Sequence, residues 1–342
     1  SPTQELVFYG AANYAVNPGQ YNSRVKIHTP ITVDHAGNMY FGFVVSGTTP
    51  LNLQSGIARI TPSGQGSWVS ADTAANDPNV SRMPNNCAPA LSLDGKSLYV
   101  AVKGGPSYLL CLDSATLAMQ HRIRMYDPWS GANADLTDYS TASPTVGPDG
   151  HVYCGVLESG INYNDRGWML HYNGDLSQTL TPGGFGWDNT CSIVPAAAVP
   201  SYSGPSSYLL LSKYNNYAGI GTGDGHNMVA VLDPNVSEVD PISGVTIMRE
   251  VLTKLGPTPD PPWGPGAVRE WCINNAAVDE VGHAGMVNNE DGRLYRWDFD
   301  TNTLSETAVL TAGVGEAYTP TIIGPDGTVY AINAGVLFAV GQ

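Results

Sequence analysis

The segment Pro320-Thr-Ile-Ile-Gly-Pro-Asp-Gly-Thr-Val-Tyr330 nearly repeats Pro144-Thr-Val-Gly-Pro-Asp-Gly-His-Val-Tyr153. Looser copies start at Pro30 (ITVDHAGNMYFGF), Pro89 (ALSLDGKSLYVAV), Pro195 (AAAVPSYSGPSSYLLL) and Asn275 (AAVDEVGHAGMV). Each copy sets an apolar run, a tight polar turn and an aromatic-centred apolar run in order, which reads as two antiparallel strands joined by a hairpin. The Asp-Gly pairs supply the positive φ that such turns need. A unit of this kind exposes an apolar face that only its neighbours can cover, so the repetition implies a radial or stacked architecture.

A third strand follows in every unit, as in Ile57–Ile60, Tyr108–Leu112, Trp168–Tyr172, Met228–Leu232, Leu294–Trp297 and Val336–Val340. Fourth strands are expected at Met119–Met125, Leu176–Leu180, Thr246–Leu252 and Leu304–Leu310. The last unit stops after its third strand, while Glu5-Leu-Val-Phe-Tyr9 opens the chain as a strand without a unit. The predicted fold is therefore all-β: a six-bladed β-propeller of four-stranded antiparallel blades, closed by the N-terminal strand completing the C-terminal blade. Seven blades is the rival count, because the span from Pro195 to Asn275 is long enough to hide a unit. One propeller domain over residues 1–342 is expected, since no linker interrupts the period.

Charged residues are only 13% of the chain, whereas 39 glycines and 25 prolines match a fold with many tight turns. A net charge of −15 repels phosphate backbones and anionic lipid, which argues against nucleic-acid and membrane partners. No apolar run is long enough to span a bilayer. Sparse lysine, 18 tyrosines and a Ser-Pro-Thr start suggest an exported (secreted or periplasmic) mature protein. A monomer is expected. Five cysteines without CxxC spacing indicate neither a zinc ribbon nor a dense disulfide framework. Cys111 and Cys154 read as buried thiols, and core packing is the first reading of Cys87, Cys191 and Cys272, beside a Cys191–Cys272 disulfide or a thiol metal site.

Connections from second to third strand and from fourth to next first strand share one face of a four-stranded blade, and the latter set is long and irregular here. Function is expected on those loops. Residues just ahead of each first strand are predicted around one funnel, with Arg24, Lys26, Asn86, Tyr139, Asn189, Trp271 and Tyr318 as ligand-binding candidates. Asn162–Arg166 and Lys213–Tyr217 add side chains from the second-to-third loops. Asn86, Asp188, Asn189, Glu270 and Glu316 are oxygen donors of the kind Ca²⁺ takes. Aromatic faces beside amides and carboxylates equally suit a sugar, and the bland account is that Asn and Asp cap loops while Trp and Tyr plug the funnel. His28 and His226 are the candidate proton-transfer residues. Gly219–Gly225 lacks the lysine and helix of a phosphate loop and reads as a flexible loop; Gly256–Gly266 reads as a stiff loop, a lid wall carrying Trp263.

The GPDG-x-VY copies resemble the repeat of quinoprotein-like propellers, a superfamily of pyrroloquinoline-quinone dehydrogenases and many non-enzymatic relatives. That resemblance covers the whole chain and implies the fold. The quinone enzymes' docking tryptophan is missing from LDSATLAMQ, LDPNVSEVD and FDTNTLSET, and no adjacent cysteines occur, so the quinone itself is not expected. In residue types alone, the chain is similar to six-bladed calcium-dependent lactonases and phosphotriesterases, which hold a metal through Glu, Asn and Asp. The leading expectation is a propeller holding a small or carbohydrate-like ligand, with Ca²⁺ admitted. The alternatives are a metal-dependent hydrolase or lyase in the same funnel, and a structural or protein-interaction propeller.

Overall fold

A computed structural model describes residues 5–138, 142–161, 163–214, 216–271, 273–315 and 319–341. Among them, six antiparallel sheets follow one another along the chain, of five, five, three, four, four and three strands. Two compact units divide the chain: residues 1–126, 136–152 and 172–179 form the first, and 127–135, 153–171 and 180–342 the second.

The first unit opens with α1 (Ala11–Val16) and α2 (Pro18–Arg24), neither expected from a β-rich repeat. Asn17 starts α2 by accepting the Gln20 amide on its side chain, and Pro18 sits where its missing N–H costs nothing. Next come β1 (Val25–Ile27), β2 (Thr32–Val33), β3 (Met39–Val45), β4 (Gly56–Ile60) and β5 (Gly66–Ser70). The five-residue helix α3 (Ala71–Ala75) leads to β6 (Val80–Arg82), β7 (Ala90–Leu91), β8 (Ser97–Gly104), β9 (Tyr108–Asp113), β10 (Met119–Arg124) and β11 (Thr145–Val146). Both β1 and β2 pair with β3, and both β6 and β7 pair with β8. One edge strand of each of these sheets is thus broken in two, at His28–Ile31 and at Met83–Pro89, where Pro30, Pro84 and Pro89 cannot donate to a ladder.

The second unit carries all but the end residues Val152 and Tyr172 of the hairpin β12 (Val152–Val156) and β13 (Trp168–Tyr172), then β14 (Ser192–Pro195), β15 (Tyr208–Tyr214), β16 (Met228–Val239) and β17 (Thr246–Leu255). Two more sheets follow, β18 (Ala277–Asp279), β19 (Ala284–Asn289), β20 (Arg293–Asp298) and β21 (Thr303–Val309), then β22 (Ile322–Ile323), β23 (Val329–Asn333) and β24 (Val336–Val340). Neighbouring sheets share cores; Val194, Leu209, Leu211, Val229 and Val231 pack with Trp271, Val287, Tyr295 and Trp297. At about 25 cal/mol per Å² of buried apolar surface, such clusters are the main stabilising term.

The repeated turn behaves as its sequence requires. The Gly147 amide donates to His151, the Gly150 amide donates to Gly147, and Gly324 and Gly327 repeat the pattern with Thr328. Gly150 and Gly327 sit at φ +84° and +82°, a region that favours glycine, and Asp149 and Asp326 accept the amide two residues on.

Two expectations are corrected. Residues 5–9 form no strand: a turn at Phe8-Tyr9 places the Phe8 ring among Phe41, Phe43, Ala58 and Ile60 of the first sheet. Gly66 is needed there, because a Cβ would come 2.1 Å from the Phe8 carbonyl oxygen. The last described sheet accordingly ends at β24, so the predicted closure by residues 5–9 does not form. Leu176–Leu180 also fails to make a fourth strand, keeping a single bridge from Tyr172 to Thr179, with Leu176 turned to φ +58°.

Candidate functional site

In the second unit, four connections converge, two running from second to third strand and two leading into a first strand. Asn216 and Asn227, both buried, knit the β15–β16 connection. The Asn216 side chain accepts the Asp224 and Gly225 amides and donates to the His226 carbonyl. Asn227 accepts the Asn216 amide on its side chain and donates to the carbonyl of Val268 in the β17–β18 connection. Asn227 thereby ties two loops together. The Thr222 amide and hydroxyl donate to the buried Glu158 carboxylate of the β12–β13 connection, which brings in a third loop. The fourth, before β14, enters through Trp187, whose ring meets Tyr217 at 6.4 Å, and through Asp188, whose carboxylate lies 3.3 Å from the Lys213 ammonium. Gly219–Gly225, expected to be flexible, is instead a hydrogen-bonded loop.

An aromatic surface tops this junction. Trp263 sits on the one-turn 3₁₀ segment Pro261–Trp263 and is 39% exposed. Its ring centre lies 4.3 Å from that of Tyr217, which is buried and donates its hydroxyl to Glu270 Oε2 at 2.8 Å. Behind them the Lys213 ammonium lies 5.6 Å from the centre of the Trp187 ring. Beside the loop, His226 Nδ1 is 3.3 Å from Asp224 Oδ2, both half exposed, and Nε2 of the same ring approaches Gly266. Pro259, Pro261 and the Gly264–Val268 stretch wall a hollow of about 490 Å³. Two exposed rings stand next to the wall of that hollow: Trp263 lies between Pro261 and Gly264 in sequence, and the His226 ring faces Gly266.

Buried charge anchors the floor. Arg166 and Asp240 form a fully buried two-pronged ion pair at 2.7 and 3.2 Å, with the guanidinium 4.4 Å from the Phe185 ring centre. Asp165 accepts the Glu158 amide at 2.5 Å on one oxygen. Burial, with the charge of Glu158 adding, pushes the Asp165 carboxyl up to about 8 and so keeps it protonated at neutral pH.

The first unit holds a second polar cluster, beside the breaks between β1 and β2 and between β6 and β7. Asp138 Oδ2 lies 2.5 Å from Arg82 Nη2, and its Oδ1 lies 3.5 Å from Lys103 Nζ and 3.7 Å from His28 Nε2. The Asn85 amide donates to the same carboxylate. Partial burial opposes ionisation of Asp138, but these donors outweigh it and hold the carboxyl down at about 2. Burial lowers the His28 value, with Asp138 opposing, so the ring is neutral at pH 7.

The candidates named from sequence are distributed as follows. His226 joins the Trp263 surface; Asp188 and Glu270 lie beneath it, the first on Lys213 and the second on Tyr217. Asn189 is buried, donating to Ser212 and accepting the Lys213 amide. Trp271 is a core residue, its ring 5.8 Å from Tyr295. In the first unit, His28 joins the Asp138 cluster, exposed Asn86 donates its amide to the His28 carbonyl, Arg24 packs at Gly47, and Lys26 is exposed on β1. Tyr139, Glu316, Tyr318 and Cys272 lie outside the described residues. No group of three His, Cys, Asp or Glu side chains converges as a metal site among the described residues. Cys87 and Cys111 are buried unpaired thiols, and burial pushes Cys87 up to about 12. Arg82 and Lys103 went unnamed because only the β6–β8 register makes them neighbours.

No family model and no curated protein matches the chain. Among solved structures, quinohemoprotein alcohol dehydrogenase from Comamonas testosteroni aligns over 91% of this chain and 52% of its own, at 13% identity and TM-score 0.52. Chaetomium thermophilum Raptor aligns over 93% of this chain and 24% of its own, at 11% identity and TM-score 0.50. BamB from Moraxella catarrhalis aligns over 92% and 84%, at 13% identity and TM-score 0.48. The chain spans about half the length of the dehydrogenase and a quarter of Raptor. The likenesses to the dehydrogenase and to Raptor establish a β-propeller fold and no activity. They lend no support to the likeness with calcium-dependent lactonases. No helix among the described residues is long and apolar enough to cross a membrane.

Proposed function

We propose that this propeller binds a small carbohydrate-like ligand on the Trp263 surface of its second unit, in the exported setting its composition suggests. The observation that carries the reading is the large exposed indole resting on Tyr217, a residue that is itself anchored on a buried carboxylate. An exposed, rigid aromatic face offers a sugar ring its apolar side, while neighbouring His226 and Asp224 offer hydrogen bonds to hydroxyls. Four interlocked loops keep that face in place, so little ordering cost accompanies binding. The oxygens of Asp188, Asn189 and Glu270 are engaged by the Lys213 ammonium, the Lys213 amide and the Tyr217 hydroxyl, which favours a sugar over Ca²⁺ at this floor.

The second reading, a hydrolase or lyase on the same surface, has one observation in its favour. His226 faces Asp224 at 3.3 Å while its ring stays half exposed, the arrangement of an oriented proton carrier. A glycan array followed by calorimetry on the full chain tests both. Binding that falls at least tenfold in Trp263→Ala, with the melting temperature unchanged, supports the sugar site; silence across the array removes it. Turnover of a bound glycan that is lost in His226→Ala, with binding retained, would transfer the site to the enzyme reading.

A further inference from the structure

The antiparallel register of β6 and β8 sets Arg82 directly opposite Lys103. Side chains so paired stand on the same face about 5 Å apart, and like charges there repel. A sheet built only for stability would not place two cations in that position, least of all in a chain with 15 basic residues against 30 acidic ones. Asp138 lies against both, at 2.5 and 3.5 Å, and screens part of the repulsion. Two cations against one carboxylate leave a single positive charge, with Lys103 and Arg82 still one-fifth and one-third exposed.

His28 completes the cluster. Its main chain is fixed on both sides, with the amide donating to Gly42 and the carbonyl accepting from Asn86. Its Nε2 is buried, makes no hydrogen bond among the described residues, and points at the cluster 3.7 Å from Asp138 Oδ1. His28 lies in the break between β1 and β2, and Arg82 ends β6 just ahead of the break before β7.

We infer that Arg82, Lys103 and His28 form a binding site for a small hydroxycarboxylate, distinct from the Trp263 surface. The ligand's carboxylate meets the remaining donors of Arg82 and Lys103, and a hydroxyl of the ligand pairs with His28 Nε2. Asp138 is the internal counter-ion that holds the two cations side by side. One uncompensated positive charge matches a monoanion; a phosphate dianion would leave the site net negative within an already acidic chain. A neutral imidazole, which the lowered value of His28 supplies, suits a hydroxyl as donor or acceptor.

Calorimetry on the full chain with glucuronate, glucose and inorganic phosphate as probes tests this site. The expected result is glucuronate binding at least tenfold tighter than glucose, weakened by salt, lost at least tenfold in Lys103→Met and unchanged in Trp263→Ala. In parallel, the His28 ring proton, assigned with His28→Gln, shifts on adding glucuronate to the unmutated protein, which keeps the test valid where Lys103→Met fails to fold. Equal binding of glucuronate and glucose, full affinity in a folded Lys103→Met, phosphate bound more tightly than glucuronate, or an unmoved His28 signal would overturn the inference. Loss in Trp263→Ala alone would assign the uronate to the Trp263 surface and likewise overturn it.

Discussion

The hydroxyl of Tyr217 donates to Glu270 Oε2 at 2.8 Å, joining the β15–β16 connection to the β17–β18 connection beneath the exposed Trp263. One short bond thus sets the height and tilt of the ring on which the indole rests. Tyr217→Phe keeps that ring and removes one donor from a buried carboxylate, so it is expected to cost about 1–3 kcal/mol of stability. Ligand binding at 25 °C should fall far less than in Trp263→Ala. Urea unfolding and calorimetry separate the two effects.

Arg166 and Asp240 are both fully buried, and each is the other's charge partner. Removing one member strands the other in a medium that cannot hydrate it. Arg166→Met is therefore expected to destabilise the protein by about 3–5 kcal/mol, and Arg166→Met with Asp240→Leu to recover a good part of that loss. Denaturant titration of the single and double variants gives both numbers.

Asp165 makes stability depend on pH in a definite direction. Its folded value, about 8, lies above the ordinary carboxylate value, so the native state keeps a proton that the unfolded chain has already lost. Stability therefore falls as pH rises from about 4 to about 8, and the loss is complete above that range. Glu158 and Glu250, raised by burial, act in the same sense. Asp165→Asn should leave the melting temperature nearly unchanged at pH 4 and raise it at pH 8.5. An equal gap at the two pH values would contradict the assignment.

Asn227 carries a pair of bonds, one within its own loop and one to Val268 in the β17–β18 connection. Asn227→Ala should release the Pro-rich loop from the junction. Hydrogen exchange is the measurement, with faster exchange expected at the Asp260, Ala267 and Arg269 amides, which are bonded within the loop. The Leu210–Leu232 ladder should remain protected.

Much of this architecture is legible in the residues themselves. The Pro-x-x-x-turn-Val/Tyr phrase locates five of the hairpins, because the alternation and the tight turns are local features; at the Pro195 copy the first strand, β14, ends at Pro195 and the expected strand at Ala196–Ala198 is a 3₁₀ turn. The third strands fall where their apolar runs stand. What misled was Glu5–Tyr9, whose apolar character is equally explained by a core of Phe41 and Phe43 against Phe8; composition cannot say which apolar surface a segment will cover. His226, Asp188, Glu270, Asn216 and Tyr217 were readable as loop residues ahead of or between strands, whereas Lys213 and Tyr214, read as loop, end β15, and Asn215 lies outside the described residues. Asp188 and Glu270, however, are engaged by Lys213 and Tyr217, partners that only loop packing reveals. Arg82 and Lys103 were invisible for a related reason, since a one-residue shift of register would send either to the other face.

The central claim, that Trp263 is the contact surface for a sugar, is tested most directly by indole NMR of the seven tryptophans, with Trp263 assigned by its absence in Trp263→Phe. A glycan hit from the array should shift the Trp263 Nε1–H resonance in a saturable manner and leave those of exposed Trp68 and Trp129 in place. A bound glycan that moves Trp68 or Trp129 and not Trp263, or that moves no indole at all, would contradict it.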